Sequence, residues 1–419
     1  MDKIYLCIDL KTFYASVECV ERNLDPFKTN LVVADSSRGF GAICLAVSPA
    51  MKNLGVKNRC RVYEIPKNIK YITALPRMKL YMEYSAKIYS IYLKYISKDD
   101  IHVYSIDEVF LDVSKYLKLY KMNPDQLSKR IMDSIYKETG ITSTVGIGTN
   151  LFLSKIALDI IAKKNSTNIG FLNEEIFREK LWHHQPLDDF WQIGRGIKNR
   201  LNKMGIYTMC DITNFDQLKL YKEFGINAEL LIDHAYGRES CTIEEIKAYK
   251  SKSKSLSFSQ ILFEDYPYDK AKLIVKEMVD IGSLELVNKD LITNSIHLFV
   301  GYSKNTIKAS SRTLKMIETT NAYSIILDYF LYLFDRITNP DIPIRIIGLS
   351  FLNVRPNINE QLDLFSDQNK IKKEIKIEQT MNNIKNKYGK NAILRGINLE
   401  QGSTTKKRNM LIGGHNSGE

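Results

Sequence analysis

The feature that most constrains this chain is a carboxylate at the end of a buried apolar run, and it occurs twice. Ile4–Ile8 reads as a β-strand, short and without polar alternation, and it leads straight into Asp9. Ile101–Val113 (IHVYSIDEVFLDV) contains two β-rich halves hinged near Ser105–Glu108, which predicts a hairpin or a bent strand carrying Asp107 and Glu108 at the bend. A carboxylate in such a place is costly unless a cation compensates it. Taken singly, each acid is as readily an edge or turn residue. Together, three carboxylates on neighbouring strand ends make a hard-oxygen site suited to Mg²⁺, which keeps waters and takes one or two carboxylates plus substrate phosphate.

The segments around these strands predict an α+β domain. Leu80–Ile96 places Met82, Ile88, Tyr89, Tyr92 and Ile96 near helical spacing. Pro124–Glu138 opens on Asn-Pro and sets Leu127, Ile131 and Ile135 on one face. Thr144–Gly148 reads as a short strand, and Asn150 can cap a helix running to about Ala162. Residues 12–78 form a separate insertion. Residues 168–240 read as helical, and Glu239–Lys254 as a polar, Lys/Ser-rich linker. Beyond it, the strand-like Ser295–Tyr302 and Ile344–Leu352 alternate with the helical Lys270–Leu286 and Tyr323–Thr338, the order of a small α/β sandwich. After Pro356, Ile371, Ile375, Met381, Ile384 and Tyr388 share a helical stripe that stops at Gly389.

A chain of 419 residues exceeds one compact core, so two to four domains are expected. Its formal charge of +12 suits a polyanionic partner or an anionic membrane surface, and no segment is a polybasic tail. Spread over several surfaces, that charge fits a protein that wraps nucleic acid. The apolar run Tyr323–Phe334 is too short to span a bilayer and carries Asp328. Ile4–Ile8 is too short for a signal-peptide core. Six cysteines without CxxC spacing argue against a disulfide framework and a structural zinc site. A reduced, soluble, cytoplasmic protein of several domains is expected.

Three segments then carry a resemblance. IDLKTFYASVE at 8–18, YSIDEVFLD at 104–112 and TVGIGTNLFLSKIA at 144–157 resemble the palm motifs of the Y-family translesion DNA polymerases, in the UmuC/ImpB/MucB branch. The likeness runs in the same order and spacing over about residues 1–355. It implies a right-hand polymerase with a palm (1–11 and 79–167), small fingers (12–78), a helical thumb (168–240), a linker (241–254), an α/β little finger (255–355) and a tail (356–419). The implied activity is low-fidelity, template-directed DNA synthesis past lesions, in SOS-type damage tolerance. Its cofactors would be two Mg²⁺ ions, and its partners primer-template DNA and deoxynucleoside triphosphates.

The resemblance also implies roles. Asp9 and Asp107 would bridge both metals, Glu108 would serve the ion at the primer hydroxyl, and the Leu10 carbonyl would complete the shell. Tyr14 would be the steric gate against a 2′-hydroxyl, beside Phe13. Aligned on Gly55-Val56, Pro49 stands where the family places a triphosphate-binding Tyr and Lys52 where it places an Arg. Lys163 would be the second triphosphate cation, with Lys164 as its competitor. Gly194-x-Gly196 resembles a helix-hairpin-helix, whose glycines let backbone N–H groups approach a DNA phosphate. Lys252, Lys254, Lys304, Lys308 and Arg312 are candidate phosphate contacts of the little finger. Gln361, Leu362, Leu364 and Phe365 resemble the bacterial sliding-clamp pentapeptide, an extended segment with apolar anchors. For Thr404–Asn409 (TTKKRN) the sequence offers no mechanism beyond phosphate or partner contact. It leaves open whether a UmuD-like subunit or a recombinase filament is required. Two rivals stand beside this reading. One is a catalytically silent, clamp-tethered DNA-binding protein at stalled forks. The other is a palm-type nucleotidyl cyclase, which needs no thumb hairpin or clamp peptide.

Overall fold

The computed structural model describes residues 3–251, 254–303, 306–358 and 368–418. The chain divides into two compact units, Met1–Tyr249 with His415–Glu419, and Lys250–Gly414.

In the first unit the apolar run after the N-terminus becomes β1 (Tyr5–Leu10), the middle strand of a five-stranded sheet ordered β5-β6-β1-β7-β8. It lies antiparallel to β6 (Glu108–Asp112) and β7 (Ser143–Gly148). Tyr5 and Cys7 pack with Phe110, Leu151 and Leu158 on one face, while Leu6 and Ile8 are fully buried on the other. Burial on both faces is why this strand lacks polar alternation. Helix α1 (Phe13–Val20) follows it. Residues 31–74 then build a small sheet, with β2 (Leu31–Val33) between antiparallel β3 (Ala46–Val47) and parallel β4 (Ile72–Ala74). Helix α2 (Pro49–Asn53) starts beyond β3, and Val32, Cys44, Val47 and Met51 give this insertion its own core.

The chain returns through α3 (Met78–Tyr92) to β5 (Ile101–Val103), which pairs with β6 across the expected hinge. Helices α4 (Ser114–Tyr120) and α5 (Pro124–Thr139) lead to β7, with Asn123 and Gln126 forming a capping box at the start of α5. Asn150 caps α6 (Leu151–Ile156), which continues as a π-turn over Ala157–Ile161 and a 3₁₀ turn over Ala162–Lys164 before β8 (Ile169–Leu172). Gly146 and Gly148 make that packing possible. A Cβ at either would lie 2.0 or 2.1 Å from backbone atoms of Ser154.

Five further helices, α7 (Glu174–Leu181), α8 (Arg195–Lys203), α9 (Met209–Asn214), α10 (Gln217–Phe224) and α11 (Asn227–Ala235), share a core that includes Phe177, Phe190, Leu201 and Leu220. The expected linker is corrected in part. Thr242 and Glu245 form a capping box that starts α12 (Ile243–Ala248), and Ile243 is buried against the Tyr5–Phe110 cluster. The polar composition reflects the outer face of a docked helix.

The second unit is an antiparallel sheet ordered β11-β10-β12-β9, from β9 (Leu256–Tyr266), β10 (Leu291–Tyr302), β11 (Ser310–Thr320) and β12 (Ile344–Leu352). Helices α13 (Tyr268–Asn288) and α14 (Tyr323–Ile337) cover one face over a core containing Ile296, Leu298, Phe330 and Phe351. Short β13 (Arg355–Pro356) pairs with β10, and α15 (Gln368–Tyr388) packs against α13 and ends at Gly389, whose φ is 96°. The segment before α16 (Thr405–Asn409) is built into the unit. Fully buried Glu277 accepts hydrogen bonds from the N–H groups of Thr404 (3.0 Å) and Thr405 (3.2 Å) and from the hydroxyls of Ser403, Thr404 and Thr405. No helix among the described residues is long and apolar enough to cross a membrane.

Candidate active site

Asp9 and Glu108 are direct partners across the β1–β6 pair, so their side chains leave the sheet on the same face. Asp107 immediately precedes β6, and its carbonyl accepts the Leu10 N–H at 2.9 Å. Three carboxylates thus gather at one sheet edge because two strands end in register. Ser105 Oγ donates to Asp107 Oδ1 at 2.6 Å. Lys163 Nζ stands 3.0 Å from Asp9 Oδ2, and Lys155 Nζ 2.7 Å from Glu108 Oε1, which also accepts from Cys7 Sγ at 3.2 Å. Burial pushes both the Asp9 and Glu108 carboxyls up, and the lysines oppose the rise without cancelling it.

Among the described residues, no group of three or more His, Cys, Asp or Glu side chains is drawn close enough to hold a metal ion as it stands. Asp107 is turned to Ser105, and ammonium groups neutralise the other two acids. The donor chemistry nevertheless fits a hard divalent cation. All three side chains offer oxygen, and two are largely stripped of water with their charge met by lysines.

Tyr14 lies in the first turn of α1, stacked on Tyr81 with ring centroids 4.5 Å apart and planes at 18°. Tyr81 donates to the fully buried Glu18 at 2.7 Å, and Arg77 binds the same carboxylate through Nε and Nη2 at 2.9 and 2.8 Å. Burial raises the Tyr14 phenol pKa, and the charge on Asp107 raises it further. Phe13, expected beside the nucleotide, is only 2% exposed, and its ring serves the core.

Lys52 projects from α2 within electrostatic reach of Asp9, Lys163 and Lys11. Lys163, and not Lys164, makes the ion pair with Asp9. Lys11 donates through Nζ to Asn168 Oδ1. The sequence reading missed Lys11, Lys155 and Asp159. Its one available signal for the last two was the repeat Lys-x₃-Asp-x₃-Lys from 155 to 163.

Gly194 caps α8 and Gly196 lies in its first turn, and a Cβ at either would meet nothing within 4 Å. Packing inside the chain therefore does not require these glycines. In the second unit Lys254 and Lys308 are exposed. Arg312 is exposed as well, on the edge strand β11, where it pairs with Leu298 and so shares the sheet face that carries the core. The open face instead carries Ser257 and Ser350, whose hydroxyls are 2.9 Å apart, and His297 with Thr313, also 2.9 Å apart. Lys252, Lys304, Gln361, Leu362, Leu364 and Phe365 lie outside the described residues.

A strand-end acidic site on a sheet of this order, followed by a helical subdomain and a separate α/β unit, defines a polymerase-like class of fold. Known proteins agree. Residues 8–159 match the impB/mucB/samB family, and residues 253–364 match the C-terminal domain of that family. The chain is 34% identical to the "Putative UV-damage repair protein UvrX" of Bacillus subtilis (strain 168), over 99% of this chain and 98% of that one. It is 30% identical to DNA polymerase IV 2 of the same organism, over 99% of both chains. Among solved structures, the Y-family DNA polymerase chimera Dbh-Dpo4(243-245)-Dbh superposes with a TM-score of 0.65 at 25% identity, covering 84% of this chain and 100% of that one. The chain belongs to the impB/mucB/samB family of Y-family polymerases and is a DNA-directed DNA polymerase.

Proposed function

We propose that this polymerase copies damaged templates at low fidelity, transferring a deoxynucleotidyl group to a primer 3′-hydroxyl at a site that holds two Mg²⁺ ions. The observation that carries the reading is the cross-strand pair of Asp9 and Glu108 with Asp107 next in the chain. These three carboxylates and the Leu10 carbonyl would hold the cations. Bound there, divalent ions would favour deprotonation of the primer hydroxyl and stabilise the leaving pyrophosphate. The chain's own residues do the rest. Lys52 and Lys163 neutralise the triphosphate as point charges. The Tyr14 ring, held by Tyr81, lies beneath the sugar and excludes a 2′-hydroxyl.

The N–H groups around Gly194 and Gly196 take a DNA phosphate without reading sequence. On the second unit, the exposed Lys254, Lys308 and Arg312 and the hydroxyl-rich open face of the sheet are the candidates for duplex contact. An insertion built on three strands of two or three residues encloses the nascent pair loosely, which admits a damaged base and weakens geometric selection. The UV-damage name of one relative supports this role, within SOS-type damage tolerance in the cytoplasm. Gln361, Leu362, Leu364 and Phe365 would tether the enzyme to a sliding clamp. The test is extension of a labelled primer on undamaged and abasic templates with Mg²⁺, with and without a bacterial sliding clamp. Extension past the abasic site that is lost in Asp107→Ala is expected. Extension retained in that variant would overturn the site, and failure on the abasic template alone would overturn the lesion-bypass reading.

A further inference from the structure

Lys155, Asp159 and Lys163 follow one another at intervals of four, and their charges join the two inner carboxylates into a continuous ladder. Lys155 Nζ lies 2.7 Å from Glu108 Oε1 and 3.0 Å from Asp159 Oδ2. Lys163 Nζ lies 2.7 Å from Asp159 Oδ1 and 3.0 Å from Asp9 Oδ2. In a regular α-helix each step of four turns by about 40° beyond a full circle, so two steps would carry Lys163 well off the face of Lys155. The π-turn at Ala157–Ile161 is wider and reduces that drift. The helix thus departs from regular geometry, through this π-turn and the 3₁₀ turn that follows it, along the stretch where three charges face the same sheet edge.

Each ammonium is shared between a carboxylate of the site described above and Asp159. We propose that Asp159 is a positioning residue: it holds Lys155 and Lys163 when they give up Glu108 and Asp9 to cation and nucleotide. The inference rests on the assignment of Asp9 and Glu108 to the catalytic site. An ammonium at a buried carboxylate with no other partner can leave only by stranding a charge, which is expensive. Lys155 has a side chain only 8% exposed, so this cost applies to it directly. With Asp159 present, each lysine lets go of one oxygen and keeps another.

Removing the Asp159 charge has a predictable sign. Each lysine closes on its remaining carboxylate, and the site becomes one unit more positive. Both changes weaken divalent-cation binding. Neither weakens attraction for a polyanion. A purely structural role would differ, because loosening this helix would weaken both ligands together and lower thermal stability.

The experiment uses the full chain on primer-template DNA, with Asp159→Asn, Asp159→Glu and Lys163→Gln compared with wild type. Mn²⁺ binding is read by electron paramagnetic resonance, and tripolyphosphate binding is read in chelator without metal. Asp159→Asn is expected to raise the Mn²⁺ midpoint by about fivefold or more. Tripolyphosphate affinity should stay the same or tighten, and Asp159→Glu should restore the Mn²⁺ midpoint. Lys163→Gln, at a side chain 40% exposed, provides the opposite case and is tolerant of change. Its Mn²⁺ midpoint should fall while tripolyphosphate binding weakens. An unchanged Mn²⁺ midpoint in Asp159→Asn, or parallel loss of both ligands, overturns the ladder while Asp107→Ala still abolishes extension. Extension surviving in Asp107→Ala overturns instead the site on which the ladder rests.

Discussion

Glu277 in the second unit and Glu108 in the first are both withdrawn from water, but opposite kinds of donor meet them. Glu277 is fully buried and receives two backbone N–H groups and three hydroxyls, all from residues 403–405. These donors sit on three consecutive residues, and the two N–H groups cannot move away without unravelling the segment. Glu108 is met by the long, flexible ammonium of Lys155 and by a cysteine thiol. A carboxylate wrapped in backbone dipoles is a structural tie. One matched by a lysine that has a second carboxylate to hold can be exchanged.

Substitutions can break this comparison, and the largest effect should fall on activity alone. Asp107→Ala should lower the rate of primer extension by about three orders of magnitude or more. Its unfolding should stay within about 0.5 kcal/mol of wild type, since the side chain lies at an exposed strand end. Stability loss comparable to the activity loss would put Asp107 with the structural ties.

Glu277→Ala should do the reverse. The buried N–H groups of Thr404 and Thr405 would lose their acceptor and three hydroxyls one of theirs, at a cost of about 3–5 kcal/mol, read by chemical unfolding of the second unit. The folded fraction should extend primers with unchanged nucleotide KM. A changed KM would show that the tail reaches the chemistry.

Tyr14 falls between the two cases, because its ring leans on Tyr81 and Tyr81 is tied to buried Glu18. Here a structural carboxylate serves the site. Tyr14→Ala should raise ribonucleotide incorporation by roughly tenfold to a hundredfold, measured as the ratio of kcat/KM for the two sugars. An unchanged ratio would refute the gate.

The comparison also explains what the sequence made legible. Strands that end in acids announce themselves, because an apolar run breaking on a carboxylate is visible in a dozen residues. Local helix signals were equally plain: Asn123 and Asn150 each accept the backbone N–H three residues on. Interactions set by register or by long separation were hidden. That Arg312 shares a sheet face with Leu298 follows only from the β10–β11 register, although the residue is exposed at the sheet edge. Phe13 sits in a motif shared with Tyr14, but successive helical positions face different ways, so Phe13 is buried in the core while Tyr14 stacks on Tyr81. Thr404 and Glu277 are 127 residues apart, and no composition window contains both. The capping box Thr242-x-x-Glu245 could have been read, but the Lys/Ser-rich stretch around it argued for a linker.

The last case is Glu378, where the second unit departs from its own rule. This carboxylate is fully buried, and Arg395 Nη2 donates to its Oε1 at 2.7 Å, but its Oε2 has no hydrogen-bond partner among the described residues. Burial pushes its pKa from an ordinary 4.5 up to about 8; Arg395 opposes the rise, and Glu374 and Asp280 add to it. Between those two values the folded chain holds a proton that the unfolded chain has released. Stability from this group is therefore fully present below about pH 4.5 and is lost as pH rises through about 8. Arg395 does not lose its anchor when Glu378 is protonated, because Asp280 Oδ1 accepts from its Nε at 2.6 Å. Glu378→Gln, which keeps the shape and removes the titration, should flatten the decline in the second unit's thermal midpoint between pH 5 and pH 8. It should also leave the variant the more stable of the two at the upper end. Parallel curves for the two proteins would mean that Glu378 is charged in the fold, held by Arg395 as firmly as Glu277 is held by the tail.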